Sequence, residues 1–182
     1  MEITVVTGNA HKAEEVASFF DGIADVGHVK IDLPETKNDD VGIVARGKAE
    51  AAYKILKKPL IVDDTGFYIR SLNGFPGAYA AYVLDTIGMD GILRLLEGKE
   101  DRDSYFETAV AYADSEGIFV FKGRVDGIIT DAPRGSHGFG YDPIFEVGGR
   151  TFAEIEISEK SAVSHRARAL TVFKEWFLEN RK

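Results

Sequence analysis

The chain has 182 residues, 45% apolar and 29% charged, which suits one globular domain or two small lobes around a single cleft. Its 30 acidic side chains against 22 basic ones give a net charge of −8, which excludes the cationic footprint that duplex nucleic acid requires. With no cysteine, disulfides, thiolate metal sites and cysteine nucleophiles are excluded as well.

In chain order, residues 3–7 (ITVVT) predict a strand, followed by a turn through GNAHK and a helix from about His11 to Phe20. The apolar part of this opening segment is too short for a signal peptide, and no apolar run approaches the roughly 18 residues of a membrane span. A cytoplasmic protein that contacts no membrane is expected. Residues 26–32 suit a second strand. From Asp39 onward, Val41, Val44, Ala45, Ala49, Ala52 and Leu56 recur at helical spacing. PLIVD at 59–63 reads as a buried strand, because its apolar run is continuous rather than alternating. Turn chemistry in SLNGFPG precedes a helix through AYAAY, and 89–97 suit another short helix. Residues 104–113 and 117–129 are β-rich and meet at Asp114-Ser115-Glu116-Gly117, a hairpin-like turn. A glycine-rich loop at 131–150 leads to a last helix from about Ser161 to Glu179. The fold class is α/β, a partly antiparallel sheet with helices, in one domain over 1–182.

Chemistry concentrates in a few segments. Thr7-Gly8-Asn9-Ala10-His11-Lys12 runs from a strand end into a helix, offering a phosphate unpaired N–H groups, a positive dipole end and a lysine. The competing reading is an ordinary turn in which Asn9 caps the helix. Asp63-Asp64-Thr65-Gly66 is expected to close the apolar strand, at the position where α/β proteins place ligands. Neighbouring strand residues point to opposite faces, so one acid would hold a hard cation or activate water and the other would be structural. Glu35, in Asp32-Leu33-Pro34-Glu35, is a further carboxylate on a separate loop, an arrangement that suits Mg2+. Lys48 and Arg166 each interrupt an apolar helical stripe, which is costly unless the cation is paired or meets an anion. For Arg166, with Lys160 and His165 beside it, an anion is the expected partner. Its removal would then leave the free protein at least as stable. Gly138-Phe139-Gly140-Tyr141-Asp142-Pro143 combines close backbone approach, aromatic faces for a base and an acceptor carboxylate.

Together these segments resemble the inosine triphosphate pyrophosphatase family, enzymes that act on noncanonical purine nucleoside triphosphates. The resemblance rests on TGNAHK at 7–12, DLPE at 32–35, VDDTG at 62–66, NGFPGAY at 73–79, HGFGYDPIF at 137–145, TFAEI at 151–155 and EKSAVSHR at 159–166. These pieces follow one another over nearly the whole chain. The resemblance implies an elongated mixed sheet flanked by helices, with two lobes around a central nucleotide cleft. It also implies a homodimer that hydrolyses inosine, deoxyinosine and xanthosine triphosphates to the monophosphate and pyrophosphate with Mg2+. Carried across, Thr7, Gly8, Asn9, Ala10, His11 and Lys12 would embrace the triphosphate, with Lys48 adding charge. Glu35 and Asp64 would hold Mg2+, and Asp64 would accept the proton, with Thr65 beside it. Phe139, Gly140, Tyr141, Asp142, Lys160, His165 and Arg166 would bind the nucleotide. Backbone N–H groups at Phe139–Asp142, with His165 and Arg166, would offer donors to the 6-oxo group of the base. Two other readings compete. One is a septum-inhibitor-type pyrophosphatase for other modified nucleotides, against which SHR and FGYDP speak. The other is a module that senses nucleotides without turnover, against which Glu35 and Asp64 together speak.

Overall fold

In chain order the elements are β1 (Glu2–Val6), α1 (Ala10–Phe19), β2 (Asp25–Val29), α2 (Val41–Leu56), β3 (Leu60–Ile69), β4 (Pro76–Gly77), α3 (Ala80–Thr86), α4 (Gly88–Leu95), β5 (Asp103–Asp114), β6 (Gly117–Ile129), β7 (Phe145–Val147), β8 (Arg150–Thr151), α5 (Ile157–Val163) and α6 (His165–Asn180). They come from a computed structural model that describes residues 2–34 and 36–181, without the side chains of His11, Ile157, Ser158 and Ser161. The strands form one eight-stranded mixed sheet in the order β2-β1-β3-β5-β6-β7-β8, with β4 paired to β3. β1 runs parallel to β2 and β3, and the remaining pairs are antiparallel. No helix among the described residues is long and apolar enough to cross a membrane.

Three apolar clusters fill this frame. On one face of the sheet α2 lays Val41, Ala45, Ala49 and Ala52 against Leu60, Val62, Ala109 and Ala111. The small alanines let helix and sheet approach closely. On the other face α1 and α6 cover Ile61, Val110 and Tyr112 with Val16, Phe20, Leu170, Phe173 and Phe177. Further along that face, Phe67 and Phe106 stack with ring centroids 4.4 Å apart and join Val83, Ile92, Tyr141 and Phe145 in a third cluster.

The structure departs from the sequence-based expectations in several places, and short strands β4, β7 and β8 lie within or at the edge of segments expected as turn or loop. Asp63 and Asp64 do not end a strand. β3 continues to Ile69, because the 12-residue β5 pairs with it from Leu60↔Ala113 to Ile69↔Ser104 and supplies partners that the local pattern does not reveal. The last helix is also two helices. Ser164 sits between α5 and α6 in extended backbone, φ −67° and ψ 159°, and its hydroxyl accepts from the Ala167 N–H at 3.2 Å. That N-cap starts a new helix at His165 and places Arg166 in its first turn.

One glycine sets how close α6 lies to the sheet. Gly123 of β6 pairs with Thr108 of β5, and a Cβ there would overlap the His165 carbonyl oxygen and the Ala169 nitrogen. Helix backbone thus rests directly on strand backbone. Gly123→Ala is expected to cost about 1–3 kcal/mol, at roughly 2–4 °C of melting temperature per kcal/mol. An unchanged thermal melt would mean that α6 is not seated on this position.

Candidate active site

A period-two reading of β3 locates the site. Ile61, Asp63, Thr65 and Phe67 share one face, and β5 sets Tyr112, Val110, Thr108 and Phe106 opposite them. The outer positions are core, in two different clusters. Asp63, Thr65 and Thr108 therefore form a polar band between two apolar cores, beneath the first turn of α6.

Asp63 is engaged at both oxygens. Lys12 Nζ donates to Oδ1 at 3.1 Å and lies 3.0 Å from Oδ2, while Arg166 Nε donates to Oδ2 at 2.9 Å. Arg166 also donates through a terminal nitrogen to Glu15 at 3.1 Å. Burial opposes ionisation of Asp63, but the charges and hydrogen bonds of Lys12 and Arg166 outweigh it and hold the carboxyl well below its usual range. Arg166 is thus a paired cation in the free protein, contrary to the expectation that only an anionic ligand would neutralise it. The sequence pattern showed the charge on the stripe but not the acid across from it.

Asp64 faces the other way, toward α2, where Lys48 Nζ donates to its Oδ1 at 2.7 Å. Burial raises its pKa, and Lys48 offsets this only in part. The two adjacent acids point to opposite faces, as strand periodicity predicts: Asp63 is clamped by two cations, while burial destabilises Asp64 as an anion.

The cleft runs over both. It is lined by the turn at Thr7, Gly8 and Asn9, by Lys12, the loop at 31–33, Lys48, Asp63–Thr65, Ala78–Tyr82, Gly138–Asp142, Lys160 and Ser164–Arg166. The structure so gathers the sequence-selected residues, with four exceptions or refinements. Ala10 opens α1 and lies outside the lining. Glu35 and the side chain of His11 are not among the described residues. Asn9 does cap α1, accepting from the Lys12 N–H at 3.4 Å, as the competing reading of this turn expects. The donor set at 139–142 is smaller than expected. Phe139 N–H donates to Asp142 Oδ2 at 2.8 Å and Asp142 N–H to the Phe139 carbonyl at 3.3 Å, so both are spent within the loop. Asp142 also pairs with Lys160, which lies 4.7 Å from the centre of the Phe139 ring.

The Ham1 family profile matches residues 3–176. The chain belongs to the Ham1 family. It is 44% identical over 185 residues to the dITP/XTP pyrophosphatase of Thermococcus kodakarensis, covering 100% of both chains. It is 41% identical over 180 residues to inosine triphosphate pyrophosphatase 2 of Trypanosoma cruzi, covering 97% of this chain and 92% of that one. The solved Ham1 protein of Staphylococcus aureus superposes with a TM-score of 0.89 at 31% identity, covering 100% of both chains.

Sequence reasoning passed over three contributors to this Ham1 site. Glu15, one helical turn past Lys12, resembles any surface acid until Arg166 is seen beside it. Thr108 is one β-prone residue among many. Gly123 did leave a signal, since a glycine inside the β-rich run FVFKGRV marks close backbone approach.

The ion cluster has a stability signature. Arg166→Ala and Asp63→Asn each break a buried pair and are expected to cost about 3–5 kcal/mol in denaturant melts. Asp63 has a folded pKa below its unfolded one, so its contribution is complete above the ordinary value of about 3.9 and is lost as pH falls through that value toward the folded one. The stability gap between wild type and Asp63→Asn is therefore expected to be widest near neutrality and to close in acid. Asp64→Asn removes a charge that burial penalises, and is expected to leave the melting temperature at pH 7 unchanged or higher.

Proposed function

We propose that this Ham1 chain hydrolyses noncanonical purine nucleoside triphosphates, those of inosine, deoxyinosine and xanthosine, to the monophosphate and pyrophosphate, and so clears deaminated purines from the nucleotide pool. The observation that carries the reading is Asp64. It is a carboxylate in the cleft, with one oxygen on Lys48 and a pKa raised by burial, in a chain whose full-length relatives are named for this reaction. A raised pKa makes a carboxylate a better proton acceptor, so Asp64 suits activation of the attacking water. Lys12, Lys48, Lys160 and Arg166 line the same cleft and supply charge for a triphosphate. With the nucleotide held over the band, catalysis is mainly positioning and charge stabilisation, with attack at the α-phosphorus and pyrophosphate leaving.

Mg2+ fits the donor set under one condition. Among the described residues no group of three or more His, Asp or Glu side chains could hold a metal unaided. Mg2+ in nucleotide sites usually takes one or two carboxylates and completes its shell with phosphate oxygens and water, a demand that Asp64 can meet. Glu35 is the proposed second carboxylate; Asp32 and Leu33, shortly before it in the sequence, line the cleft. The bound ion would neutralise phosphate charge. The further reading is of a cytoplasmic homodimer that needs no nucleic acid, with the exposed Phe75, Ile87 and Leu95 as apolar surface for pairing.

A substrate panel tests the reading, with pyrophosphate release as the assay. Inosine and xanthosine triphosphates are expected to exceed adenosine triphosphate in kcat/KM by up to about 10⁴-fold, because a site built on hydrogen bonds rejects a mismatched group. Asp64→Asn is expected to lower turnover by about 10²–10⁴-fold while the melt is preserved. A chelator should abolish release and added Mg2+ restore it. Equal use of inosine and adenosine triphosphates would refute the proposed selectivity.

A further inference from the structure

The polar band continues into α6 through two short hydrogen bonds. Thr65 Oγ1 and Thr108 Oγ1 are 2.7 Å apart, and Thr108 Oγ1 is 2.6 Å from Nδ1 of His165. Thr108 is fully buried. The His165 ring lies on Phe106, centroids 4.9 Å apart and planes 23° from parallel, and Gly123 lets its backbone sit against the sheet. Burial and the charges of Arg166 and Lys160 hold the ring neutral by pushing its pKa well below the usual value.

A neutral imidazole carries one N–H, and the bond made by one ring nitrogen decides what the other offers. Each link of this chain holds a single proton, and two arrangements also give the buried Thr108 hydroxyl proton an acceptor within it. In the first, Thr65 donates to Thr108 and Thr108 donates to Nδ1, which leaves the ring hydrogen on Nε2. In the second, Nδ1–H donates to Thr108 and Thr108 to Thr65, which leaves Nε2 as a bare acceptor. The choice bears on the base, because His165 lines the cleft and the N–H groups of Phe139 and Asp142 are already spent. A 6-oxo purine needs a donor and a 6-amino purine an acceptor.

We propose that Thr108 is a positioning residue for base selection: its hydroxyl donates to Nδ1 of His165 and thereby fixes Nε2–H as the donor offered to the cleft. The inference rests on the proposed hydrolysis of 6-oxo purine triphosphates. It extends the site to a buried threonine on β5 that no ligand reaches directly, with Thr65 as the other end of the relay.

Thr108→Val replaces the hydroxyl with a methyl group of the same shape, and Thr108→Ser restores the hydroxyl. Histidine 15N NMR of the full chain, with His165 assigned by His165→Asn, reads the tautomer independently of activity. The wild type and Thr108→Ser are expected to show the Nε2–H form, and Thr108→Val to lose it. The valine variant is expected to lose about tenfold to a hundredfold in kcat/KM for inosine triphosphate, with the ratio over adenosine triphosphate falling in step and recovering in the serine variant. An Nδ1–H tautomer in the wild type overturns the proposal, as does a valine variant that keeps its tautomer and substrate ratio. An equal loss toward both substrates overturns it too, since it marks Thr108 as structural. A wild type that cleaves no 6-oxo purine triphosphate refutes the functional reading instead, and the NMR result then still decides whether Thr108 donates to Nδ1.

Discussion

A single buried anion organises this molecule. Asp63 lies in the middle of the sheet, beside Thr65 and between two apolar clusters, and there an isolated carboxylate would be prohibitively costly. Lys12 comes from α1, Arg166 from the first turn of α6, and Glu15 from α1 again. Compensating one charge thus ties the first helix, the central strand and the last helix to a common point. The turn at Thr7–Asn9 and the α6 N-terminus reach the same cleft because the chains that carry them are fastened to the same carboxylate.

That arrangement separates the two neighbouring acids. The pleat turns Asp64 to the opposite face, where α2 presents Lys48 among its alanines and valines. An acid with two cationic partners is locked as an anion and holds structure. An acid that meets Lys48 but is raised by burial is held less firmly as an anion. The difference arises from strand geometry, since the residue type is identical.

Much of this was readable before any coordinates. Lys48 and Arg166 announced themselves as charges on apolar stripes, and the opposite facing of Asp63 and Asp64 followed from strand periodicity alone. Which acid each cation would meet was not readable, because Asp63 and Arg166 are 103 residues apart and only the sheet brings them together. The length of β3 escaped notice for a similar reason, since Gly66 reads as a break until β5 is laid beside it. The division of the last helix was hidden by its pattern: Ala162 and Val163 continue the apolar stripe, while Ser164 acts as a cap only because its backbone is extended. The spent donors at Phe139 and Asp142 belong to a loop closed by its own carboxylate. Gly138 permits that closure with φ +74°, a conformation in which any side chain would collide with Asp142.

The cleft cations have one more consequence, for how the site meets salt. Lys12 and Arg166 rest on Asp63 and Glu15, Lys48 on Asp64, and Lys160 on Asp142. Their counterions are therefore carboxylates built into the chain rather than mobile anions from solution. The charge that these side chains bring to the cleft is thus offset within the fold itself. Contacts between charges this close and this shielded are also screened far less than those on an open surface. Four basic side chains would ordinarily make a polyanion's affinity fall steeply with ionic strength. Here the chain itself supplies the competing anions, which leaves dissolved salt less to screen.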